Sequence, residues 1–133
     1  MKRILFIIII LGVLTLMACG ASAKEVVQTP APVPAEFAGA TNPFGAEAAA
    51  EGAEIFRASC ELCHGPQGHG DGVAGQSLEP QPKNLATLQA TVGDDFLFWR
   101  IHEGKPGTAM VAWNGILTDE QIWQIVSFIR TLE

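Results

Sequence analysis

Two cysteines three residues apart, followed at once by a histidine in Cys60-Glu61-Leu62-Cys63-His64, constrain this chain more than any other stretch. On a helical turn, side chains three and four apart share a face, so both thiols and the imidazole can address one ligand. Three chemistries compete for such a cluster. A thioredoxin-like pair expects a βαβ setting, and no stretch of this chain alternates like a strand. A zinc site wants four ligands, and only His69 and His102 remain as further candidates. Covalent haem attachment uses every residue of the motif, each thiol adding to one vinyl group while the histidine reaches the iron. The expected cofactor is therefore one haem c on Cys60 and Cys63, with His64 as an iron ligand.

The third cysteine has a different setting. Lys2 and Arg3 precede an apolar run from Ile4 to Ala18, interrupted only by Gly12 and Thr15. A membrane-spanning helix needs about 20 apolar residues, and a basic start with a shorter run fits a secretory signal peptide over residues 1–18. Its last residues, Leu16-Met17-Ala18-Cys19, resemble the lipobox of bacterial lipoproteins, which places lipid on Cys19 and the protein on the extracytoplasmic, periplasmic face of the membrane. The competing reading is an uncleaved anchor or an ordinary signal peptide with an incidental cysteine. An odd count of three cysteines thus divides into one for lipid and two for haem, with none over for a disulfide. Charge removes another class of partner. The chain carries 14 acidic against eight basic residues, and cleavage would remove Lys2 and Arg3, taking the formal charge from −6 to −8. No nucleic acid is expected to bind such a chain, because phosphate backbones are held by clustered Lys and Arg.

After Cys19, residues 20–44 are rich in Ala, carry Pro30, Pro32, Pro34 and Pro43, and show no periodicity. They read as a tether, or as a segment laid in a fixed path along a partner. Residues 45–133 read as one helical domain. A helix is predicted from Ala46 to about Ser59, and another from Asp94 to His102, ended by Gly104 and Pro106. The last starts at Thr118, which with Gln121 forms a capping box, while Leu117 and Ile122 stand at the positions of a hydrophobic staple. Ile122, Ile125, Val126, Ile129 and Leu132 then recur at helical spacing. A domain this small is marginal on its own core and is expected to be completed by its cofactor.

From Ala46 to Leu132 the chain resembles the class I c-type cytochromes. Gly52 and Phe56, set against Ile125 and Phe128, match the crossing of that family's first and last helices. Gly65 follows the histidine, and Gly68-His69-Gly70-Asp71-Gly72 with Pro80, Pro82, Asn84 and Leu85 resembles the loop of bacterial respiratory mono-haem members. Gly107-Thr108-Ala109-Met110-Val111-Ala112-Trp113 resembles the methionine loop, with Val111 where the family commonly has proline. The resemblance implies an all-α fold of three to four helices around the haem, with Met110 as the sixth iron ligand in preference to His69 or His102. It also implies a proline carbonyl, Pro80 or its neighbour Pro82, accepting from the second nitrogen of His64, and Trp113 packed at the haem pocket or in the core. Trp99 and Trp123 read as core or partner surface. Two protein ligands leave no open iron position, so the implied function is electron transfer between redox partner proteins of an electron-transport chain, and not bond-making catalysis. Together the lipidated cysteine, tether and Gly-Asp-Gly loop resemble the small cytochrome subunit of alternative complex III, a multi-subunit quinol-oxidising membrane complex. A function of another class, a gas sensor or peroxidase-like protein, would require Met110 to leave the iron.

Overall fold

Apolar residues at helical spacing should bury one face, and in α5 (Asp119–Ile129) they do: Ile122, Ile125 and Val126 are fully buried and Ile129 nearly so. In a computed structural model, which describes residues 30–133, this helix is the spine of the fold. The apolar leader and Cys19 lie outside the described residues. Thr118 starts α5 as expected: its Oγ1 accepts from the Gln121 amide at 3.2 Å, and Gln121 Oε1 accepts from the Thr118 amide at 2.9 Å. Thr118→Ala should cost about 1 kcal/mol, the usual worth of such a cap. Thermal unfolding should then fall by roughly 4–8 °C; an unchanged midpoint would mean that packing alone sets this end.

Across α5 lies α1 (Ala49–Ser59), preceded by a 3₁₀ turn at Ala46–Ala48. The crossing is close because Gly52 has no side chain. A Cβ there would overlap the Gln124 carbonyl oxygen and stand 2.5 Å from its carbon. One turn on, the Phe56 and Phe128 rings meet at 5.0 Å. The single turn α2 (Glu61–His64) follows directly. A glycine-rich loop with a 3₁₀ turn at Gly75–Ser77 leads to α3 (Leu85–Gln89), capped by Asn84 Oδ1 on the Thr87 amide at 2.9 Å. α4 (Asp94–Glu103) buries Phe96, Leu97, Phe98 and Ile101, and ends at Gly104 with φ +67°. Trp123 stacks on Phe98 at 4.2 Å, so the indole from α5 belongs to the core seam, while Trp99 is half-buried against Phe96. Arg130 closes the bundle: its Nε donates to Asp94 Oδ1 at 2.8 Å and its Nη2 to the Val92 carbonyl at 3.0 Å.

The all-α fold is as the sequence implied, with no strand among the described residues. Among the described residues five helices form where three to four were expected around the haem, because the haem motif is itself one helical turn and the Asn84 cap starts another short helix. The larger difference is at the tether, read as running free to Phe44. Val33 and Phe37 pack against the core, and the Phe37 ring lies 5.4 Å from His102. The Gly39 amide donates to Asp95 Oδ2 at 2.9 Å, and Asn42 Nδ2 donates to Ser127 Oγ at 2.9 Å and to the Trp123 carbonyl at 3.1 Å. A Pro- and Ala-rich composition hid these contacts, since one aromatic and one amide make most of them. Among the described residues no helix is long and apolar enough to cross a membrane.

Candidate haem site

The haem motif sits where α1 hands over to α2. The Cys60 amide still donates to Phe56 of α1 at 2.7 Å, while the Cys60 carbonyl accepts from His64 at 2.9 Å and Cys63 at 3.1 Å. The single turn therefore points Cys60, Cys63 and His64 together into a cavity of about 510 Å³, a size common for cofactor sites. The glycine-rich loop fixes this turn through main-chain bonds. The Gly70 amide donates to the His64 carbonyl at 2.8 Å, and the Ala74 amide to the Leu62 carbonyl at 3.0 Å.

Its apolar walls come from every helix of the bundle except α2: Phe56 of α1, Leu85 of α3, Leu97 and Ile101 of α4, Ile125 and Ile129 of α5. Met110 and Trp113 face the same cavity from the loop after α4. That loop is tied down in three places. The Met110 carbonyl accepts from the Lys105 amide at 2.9 Å, the Met110 amide donates to Thr108 Oγ1 at 3.2 Å, and the Trp113 amide donates to the His102 carbonyl at 3.1 Å. Gly104 presses on the main chain of Met110 and Val111 so closely that a Cβ would stand 2.5 Å from the Val111 carbonyl carbon. Val111 itself is 59% exposed, so these bonds and the glycine contact hold the loop where the family commonly uses proline.

The rival histidines are placed elsewhere. His69 is exposed, its Nε2 3.3 Å from the Glu133 carbonyl, and His102 stacks on Phe98, with the Phe37 ring tilted against it and its Nδ1 2.7 Å from Glu103. Neither lines the cavity, whereas Met110 does.

Two polar features test whether the cavity suits a haem. The His64 Nδ1 atom is buried without a hydrogen-bond partner. Burial pulls the pKa of this imidazole down and the Lys83 main chain draws it partly back up, a contact that falls short of a full hydrogen bond at Nδ1. Such a ring is a neutral donor, as a metal requires. Pro80, the carbonyl expected here, lines the cavity but is exposed, and the Pro82 carbonyl is turned against Gly70. Lys83, next in the chain, is the residue that meets the ring. Burial, and then the neighbouring Cys63, push the Cys60 thiol up to about 12. Second, Lys83, Arg100 and Lys105 line the cavity with no carboxylate among its walls. In so acidic a chain this segregation suits a ligand that carries its own carboxylates, as haem c does. Arg100 lies 4.0 Å over the Trp99 indole and donates from Nη1 to the Gly104 carbonyl at 2.9 Å; burial lowers its pKa. Sequence reasoning missed these three cations, although Arg100 within the apolar run of α4 was a signal. The residues present fit the group.

Residues 47–129 match the family model described as cytochrome c oxidase, cbb3-type, subunit III. The chain belongs to this family. It is thus a class I c-type cytochrome, with a domain of the electron-transfer kind that binds haem c covalently and with Cys60 and Cys63 positioned for the two thioether bonds. Among solved structures the cytochrome is similar to a chain of the reducing HAO-like protein complex of Kuenenia stuttgartiensis, with a TM-score of 0.56 and 17% identity. That likeness shows the fold. It covers 80% of this cytochrome and 48% of the other chain, so the cytochrome spans about half the length of the protein it matches.

Proposed function

We propose that this cytochrome carries single electrons at the periplasmic face of the cytoplasmic membrane, held there by lipid on Cys19. His64 and Met110 are its two iron ligands. It takes electrons from a quinol-oxidising complex and delivers them to an oxidase or soluble carrier, either as a tethered carrier or as a subunit of a complex of the alternative complex III kind. The observation that carries the ligand assignment is the lining of one cavity by His64 and Met110, with His69 and His102 both outside it.

When bound, haem c supplies a one-electron iron couple. The chain supplies the rest. His64 presents a neutral nitrogen from a turn fixed by two main-chain bonds, and Met110 presents a soft thioether that favours reduced iron and so raises the potential. Lys83, Arg100 and Lys105 offset the cofactor's carboxylates, while Phe56, Leu97, Ile101 and Ile125 exclude water. The leader with its lipobox supports the anchor.

Met110→Ala separates the closed carrier from an open-iron protein. The reduced wild type should take up no carbon monoxide at neutral pH, and the variant should bind it fully. The variant's potential should also fall by on the order of 0.1 V, a modest part of the ~0.8 V over which axial ligands act. Full carbon monoxide binding by the wild type would instead favour a gas sensor or peroxidase-like role. For the anchor, mass spectrometry of the membrane-extracted protein should find residues 1–18 removed and acyl chains on Cys19; an intact leader or an unmodified Cys19 would overturn it.

A further inference from the structure

A tether fixes how far a domain can stray, and the docked segment shortens it. Phe37 against His102 and Phe98, Gly39 on Asp95, and Asn42 on Ser127 hold the chain to α4 and α5 well before the domain's first helix. Further back, Pro30 and Ala31 line the haem cavity itself. The chain therefore leaves the domain beside the haem crevice, and only the residues between Cys19 and Pro30 remain to reach the lipid. Whatever their conformation, 11 steps of at most about 3.6 Å span no more than ~40 Å. That is near one domain diameter, for a radius of gyration of about 12 Å. Had the tether run free to Phe44, its limit would have been roughly 90 Å.

Resting on the reading that Cys19 carries lipid, we propose that residues 33–44 are a strap that keeps the haem crevice at the bilayer surface, and that the partner using this crevice is a membrane-embedded redox protein. A short chain leaving beside the crevice keeps that side of the domain within about one domain diameter of its anchor. A soluble carrier would have to enter on the membrane side. An integral protein with its redox group near the bilayer surface meets the crevice directly.

The full-length lipidated cytochrome in phosphatidylcholine vesicles with a fluorophore on a small fraction of headgroups provides the test, since haem absorption quenches a nearby fluorophore. Wild type should quench. Phe37→Ala with Asn42→Ala, which frees the strap, should quench about twofold less as the limit of reach grows from ~40 to ~90 Å. Inserting about 14 Gly/Ser residues between Thr29 and Pro30 leaves the domain untouched and should have the same effect. Amides of Ala38, Gly39 and Asn42 should exchange hydrogen at least about tenfold more slowly than in a free peptide. Equal quenching by wild type and both variants, or free-peptide exchange at these amides, would overturn the strap. Slow exchange in protein that fails to float with vesicles would overturn the anchor, and with it the membrane partner, while leaving the docked segment standing.

Discussion

Replacing both Cys60 and Cys63 by serine should yield a chain without fixed tertiary structure. Its walls would be left enclosing about 510 Å³. Unfilled volume in a packed interior costs about 24 cal/mol per Å³, so the upper bound here is ~12 kcal/mol, against the roughly 5–15 kcal/mol that holds a whole domain together. Water entering through the crevice lowers the figure but cannot satisfy Phe56, Leu97 or Ile125. The expected product keeps much of its far-ultraviolet helix signal, loses its near-ultraviolet signal and binds a hydrophobic dye. A sharp, cooperative thermal transition in the double variant would show that the polypeptide core suffices.

Gly52→Ala should be nearly as damaging, and here two rules give opposite signs. Alanine is favoured over glycine in a helix interior by up to about 1 kcal/mol, so propensity predicts a gain. At the crossing of α1 and α5, however, the added methyl would overlap the Gln124 carbonyl oxygen, an atom fixed in the backbone of the most buried helix. Overpacking costs typically 1–3 kcal/mol when side chains can shift, and more where they cannot. We expect a net loss of about 3 kcal/mol, which in a domain of this size lowers Tm by roughly 12–24 °C. Differential scanning calorimetry of the holoprotein decides the sign, and a raised Tm would mean that the helices slide apart without loss.

The elements that the sequence announced are those whose determinants are local. The box of Thr118 and Gln121, the apolar stripe of α5 and the Cys60–His64 turn each depend on residues within a few positions of one another. Gly52, Phe56, Ile125 and Phe128 were also placed correctly across a long separation, through resemblance to a family and not through spacing. What stayed hidden depends on where distant segments meet. Nothing local to Phe37 or Asn42 says that α4 and α5 lie beneath them. Near His64 Nδ1 the chain path turns the Pro82 carbonyl to Gly70 and brings the Lys83 main chain towards the ring, a detail that no spacing encodes. The cations of the cavity escaped for the same reason: Lys83 and Lys105 carry no local signal, Arg100 stands out only by its apolar neighbours, and the three converge only in the fold.

The order of the walls along the chain also sets an order in time. Cys60, Cys63 and His64 come early in the domain, whereas the Met110 loop and α5, which complete the enclosure, come after them. A chain made from its N-terminus onward presents both thiols and the imidazole before the surfaces that will cover them have been added. Attachment chemistry can then work on an open peptide, where Cys60 is spared the burial that raises its thiol to about 12 in the finished domain. The last helix in the chain, packed across α1 at Gly52, would then complete the enclosure around a cofactor attached before it.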